Sequence, residues 1–150
     1  MNILAVALSL ICSWSQPHCQ MASQVALRPM PSLPFEIGAL SYQGTIQYSQ
    51  QIQDPEVLSV ILAGELQHRI GRDTDAVNVC VLEEANANRA MGAQWLWFTK
   101  TFGRPDTTGM VYDARYVRMF DDFLIGPSSI YYWADAACHI NPAVQRIINI

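Results

Sequence analysis

The segment Asp54–Gly71 constrains this chain most. Asp54-Pro55-Glu56 joins a capping side chain, a proline suited to the first helical position and an acid in the first turn, and Gly71 supplies a stop. Between them Leu58, Ile61 and Leu62 recur at helical spacing, which predicts an amphipathic helix with one face to bury. A second helix is predicted from Asp73 or Thr74 to about Asn88, with Val77, Cys80 and Val81 as its stripe. The loop between them is short enough to force an antiparallel hairpin.

The rest of the chain is read around that pair. A third helix is expected over Met91–Phe102, and Arg104-Pro105-Asp106-Thr107-Thr108-Gly109 can only be a loop. A fourth runs from Val111 to Ile125 and is closed by Gly126-Pro127. A fifth starts at Ser128-Ser129, and Asn141-Pro142 restarts the chain as a final short helix. Glu36–Gln53 fits either a weak helix broken at Gly44 or a short strand pair around that glycine. Gln16–Phe35 carries Pro17, Pro29, Pro31 and Pro34 with no sustained periodicity, and reads as a linker or extended arm. The expected fold class is all-α: one compact domain of five or six short helices over residues 36–150, behind that Pro-rich arm. A chain of 150 residues is long enough for one such core.

The first residues read as an address. Ile3–Cys12 is an unbroken apolar run, and Ser13 and Ser15 stand at the −3 and −1 positions before Gln16, the layout of an export signal cleaved after Ser15. The run is shorter than the ~20 residues a spanning helix needs, so no membrane span is expected in the mature chain. Only Met1-Asn2 precede it, without Lys or Arg, so a buried N-terminal helix or strand in an intracellular protein stays open. Export would remove Cys12, leave Cys19 without a partner in the arm, and let Cys80 and Cys138 join two predicted helices.

Composition excludes several functions. Thirteen acidic against nine unclustered basic residues, a net charge of −4, argues against a nucleic-acid partner. There is no Cys-x-x-Cys pair, no His/Cys set at zinc spacing, no Gly-x-Ser-x-Gly elbow and no phosphate-cradling glycine loop. Glu65-x-x-His68 is half of a di-metal carboxylate signature, but Asp135 and His139 are four apart and cannot supply the other half. No metal and no cofactor is expected.

Two glutamates remain as alternative catalytic groups. Glu65 follows Leu58, Ile61 and Leu62 by seven, four and three residues, inside the apolar stripe, and Glu84 stands in the same relation to Val77, Cys80 and Val81. A carboxyl group facing an apolar environment can hold a proton near neutrality, as a general acid must. The structural alternative is an ion pair, with Arg69 at i+4 from Glu65 and Arg89 near Glu84. The aromatics fall into two groups, Trp95-Trp97-Phe98-Phe102 and Tyr131-Tyr132-Trp133. Neighbours on a helix point to different faces, so one member of each group should line a groove or an interface, with core packing as the commoner use of such residues.

Ile61-Leu62-Ala63-Gly64-Glu65, with Asp75-Ala76-Val77 and the later Tyr131-Tyr132, resembles cortex-lytic cell-wall hydrolases. Glu84-Ala85-Asn86-Ala87-Asn88, with Ala90-Met91-Gly92-Ala93-Gln94, resembles elements of lytic transglycosylases, although Ala85 stands where that pattern has Ser. Both resemblances imply a mainly helical, lysozyme-like domain acting on peptidoglycan through one glutamate. Two functions are weighed, the first as the expected one, because the hydrolase patterns are present only in fragments, and the second as its alternative. One is a small exported envelope or interaction protein that binds a protein partner through Trp95, Trp97, Tyr131, Tyr132 and Trp133. The other is a peptidoglycan glycosidase using Glu65 or Glu84.

Overall fold

The structure, a computed structural model, describes residues 2–33, 39–42, 44–70 and 80–140. Six helices and a three-stranded sheet make up these residues. In chain order they are α1 (Ile3–Trp14), α2 (Gln16–Ala22), β1 (Ala26–Met30), β2 (Ala39–Tyr42), β3 (Thr45–Ser49), α3 (Pro55–Ile70), α4 (Cys80–Phe102), α5 (Val111–Phe123) and α6 (Pro127–Ile140). The expected helical domain is present, and the all-α expectation is corrected by the sheet.

Helix α3 starts where its cap dictates, with an Asp54 carboxylate oxygen accepting the Glu56 N–H at 2.8 Å. It packs against α4, where the small Ser59 and Gly64 of α3 face the longer Gln94 and Met91. Ser59 accepts a hydrogen bond from Gln94, Gly64 faces Met91, and His68 meets Glu84, so the pairings run in opposite directions along the two helices. The expected antiparallel pair is thus observed over its described residues, while Asp73, Thr74 and Val77 lie outside them.

The separate second and third helices are one 23-residue helix, α4. Asn88, read as a helix end, instead sends its side-chain N–H to the Ile130 carbonyl at 3.0 Å and ties α4 to α6. Gly92 lies inside α4 because α5 comes close: a Cβ there would stand 3.2 Å from the Phe123 Cβ. The expected bridge is also present, since Cys80 and Cys138 are disulfide-bonded with their Cα atoms 6.1 Å apart. Residues 141–150, read as a final helix, lie outside the described residues.

Of the two readings of residues 36–53, the strand pair is the one observed. Strands β2 and β3 run antiparallel about Gly44, whose φ of 78° suits a residue without Cβ. Strand β1 adds in parallel to β3, giving the order β1-β3-β2. The Pro-rich segment is therefore only partly irregular, since it contains α2 and β1. The apolar N-terminal run is α1, which buries Ala7 and Ile11 in the core, and Cys12 is bonded to Cys19 across the Ser15–Gln16 bond. Cys19 therefore has a partner that the sequence reading withheld. No described helix is long and apolar enough to cross a membrane.

Candidate functional site

Helices α3, α4, α5 and α6 leave a cavity of about 270 Å³ between them. Glu65 and His68 reach it from α3, Glu84 and Asn88 from α4, Arg115, Tyr116 and Met119 from α5, and Tyr132 and Trp133 from α6. Its volume lies just under the ~300–1,000 Å³ usual for small-molecule sites. Both glutamates singled out in the sequence are thus in one cavity.

The centre of the cluster is His68, whose side chain is 10% exposed. Its Nε2 lies 3.4 Å from a Glu84 carboxylate oxygen and its Nδ1 lies 3.6 Å from one of Glu83. These distances are long for hydrogen bonds and mark charge pairs. Burial alone would lower the imidazole pKa. Glu84, Glu83 and Glu65 outweigh it and hold His68 well above its ordinary value, so the ring is a buried cation.

Glu65 makes no hydrogen bond to a described residue. Burial raises its pKa to about 7, helped by the charge of Glu84 and opposed by His68 and Arg69. A carboxyl group that exchanges its proton near neutrality, on the wall of a cavity, has the properties of a general acid and base. Arg69, offered by spacing as the partner of Glu65, donates to the Thr45 carbonyl at 3.4 Å. Arg89 turns away from Glu84 and bonds Asn86 at 2.9 Å and the Tyr131 hydroxyl at 3.0 Å.

The aromatic residues separate by role. Tyr132 and Trp133 line the cavity, and the Trp133 indole is fixed by its N–H bond to Asp122 at 3.0 Å. Trp95 does not line a groove. It is wholly buried, donates to Asp121 at 3.0 Å and packs on Phe98 and Phe120, which corrects its place among the binding residues. Trp97 is half-buried against Phe102, and Tyr131 is held by Arg89 outside the cavity.

Sequence reasoning passed over Glu83 and weighed His68 only as half of a di-metal signature. The available signal was the i, i+3 spacing of Glu65 and His68, which places both on one face. No group of three or more His, Cys, Asp or Glu among the described residues is arranged to hold a metal ion. Asp135 and His139 pair with each other on the exposed side of α6, at 3.2 Å. The chain matches no protein-family model, no curated protein and no solved structure at a significant level.

Proposed function

We propose that this protein is a small exported glycosidase that works through Glu65 as general acid and base. The observation that carries the reading is the Glu65 carboxyl, poised at about pH 7 on the wall of a cavity shared with Tyr132 and Trp133. A sugar ring stacks on such an aromatic surface, and protonated Glu65 donates to the glycosidic oxygen as the bond breaks. The resulting carboxylate then takes a proton from the attacking water. Glu84, positioned by His68, is the second carboxylate and stabilises the positive charge that develops on the ring. Peptidoglycan is the substrate that the sequence resemblance favours.

The Cys80–Cys138 disulfide, which cleavage after Ser15 would leave intact, suits an oxidising compartment and supports export. The alternative, an interaction protein, draws on one observation: Tyr132 and Ile125 are 67% and 73% exposed.

The test is release of reducing ends from peptidoglycan and from chitooligosaccharides. Wild-type protein is expected to hydrolyse one of them, and Glu65→Gln to lose at least ~100-fold in rate while remaining folded, with a melting temperature no lower than that of wild type. A folded wild-type protein that cleaves neither substrate overturns the assignment.

A further inference from the structure

Beside the Glu65 cavity lies a second, more open hollow of about 510 Å³ along α5, walled by Arg115, Arg118, Met119, Asp121, Asp122 and Trp133. Arg115, Met119 and Trp133 wall both hollows, so the two are neighbours on one face of the protein. The acids of the second hollow are engaged. Asp121 accepts both guanidinium bonds of Arg104 at 2.8 Å and the Trp95 indole N–H at 3.0 Å, and Asp122 accepts the Trp133 indole N–H at 3.0 Å. Arg118 is exposed, stands three residues from Arg115 on the same helix, and makes no hydrogen bond or ion pair to a described residue. A guanidinium in that position offers a planar fork that matches a carboxylate.

We propose that this hollow is a subsite for a carboxylate carried by the glycan, adjoining the Glu65 cavity across Trp133. It rests on the glycosidase reading and names the substrate class: an oligosaccharide with an acidic substituent on a ring next to the one at Glu65. The indole, held by Asp122, is the wall that both rings share. Arg118 takes the carboxylate, and Arg115 adds positive charge at the boundary between the hollows.

Binding is measured by titration calorimetry on Glu65→Gln, which keeps the sugar intact, using three tetrasaccharides. Chitotetraose is neutral, a muramic-acid-containing tetrasaccharide carries its carboxylate on a ring ether, and tetragalacturonate carries it on the ring itself. At least one acidic ligand is expected to bind about tenfold tighter than chitotetraose, and the one that does identifies the source of the carboxylate. Adding Arg118→Ala should bring that ligand down to the affinity of chitotetraose, and raising the salt concentration should narrow the same gap. Equal binding of all three, or a preference that survives Arg118→Ala, overturns the subsite and leaves the glycosidase reading standing. Failure of all three to bind overturns both.

Discussion

The Nε2 atom of His68 stands 3.4 Å from a carboxylate oxygen of Glu84, and this contact joins α3 to α4 at the edge of the cavity. It gives the two glutamates different tasks. Glu84 is committed to a buried cation, whereas Glu65, three residues before His68 on its own helix, is left with a proton to exchange. Environment rather than residue type thus separates their roles.

That arrangement predicts how stability depends on pH. Glu65 unfolded titrates near 4.5 and folded near 7, and His68 is likewise held above 6.5, so both bind protons more tightly in the folded chain. Their contribution is complete below the unfolded values and is lost as pH rises through the folded ones. The melting temperature should therefore fall between pH 5 and pH 8. Glu65→Gln should melt several degrees higher than wild type at pH 8, at about 2–4 °C per kcal/mol, and close to it at pH 5. A gap that is constant with pH would contradict this.

His68→Leu should show the cost of leaving Glu83 and Glu84 buried without their cation. Glu83 is 3% exposed and has one oxygen without a partner already. Breaking such a pair from one side costs about 3–5 kcal/mol. Chemical denaturation at pH 6 measures it, and a loss under ~1 kcal/mol would mean that the cluster is hydrated and weak.

A second buried carboxylate holds the start of α3. Asp113 of α5 is fully buried and accepts the backbone N–H of Gln53 at 3.1 Å and of Asp54 at 2.9 Å. Asp113→Ala leaves these donors stranded and should cost about 1–3 kcal/mol per unsatisfied group. Hydrogen exchange at Gln53 and Asp54 should quicken in the same variant, which a general loss of packing would not confine to those two amides.

The apolar helix α1 has its own test. A chain that begins at Gln16 loses Ile11 from the core and the partner of Cys19. Removing that much buried surface and the bridge should lower the melting temperature by about 10 °C or more. A chain beginning at Gln16 that melts like the full-length protein would show α1 to be dispensable and would favour its removal on export.

What could be read in the sequence was local. The Asp54-Pro55-Glu56 start depends on side chains within one turn, and the Gly44 turn depends on one backbone conformation, so both were legible. The Cys80–Cys138 pairing, though not local, was reached because both cysteines fall in predicted helices, while the expectation that Cys19 has no partner failed because Cys12 is retained beside it. The missed features depend on partners far along the chain. Asn88 looked like a stop because the Ile130 carbonyl that satisfies it is forty-two residues away. Trp95 looked like a surface platform because Asp121, which takes its N–H, belongs to α5. The parallel pairing of β1 with β3 leaves no periodic mark in a segment with four prolines. At the site, Glu65 and Glu84 were legible from their place in apolar stripes. The role of His68 was not, since its partners arrive on the next helix.

The central claim is that Glu65 transfers the proton, and the pH profile of turnover tests it most directly. Hydrolysis of a glycan substrate by wild-type protein should fall above about pH 7, where Glu65 loses its proton. Glu65→Gln should have lost that limb together with most of the rate, while remaining folded. Turnover by Glu65→Gln equal to wild type, with the same limb above pH 7, would contradict the account.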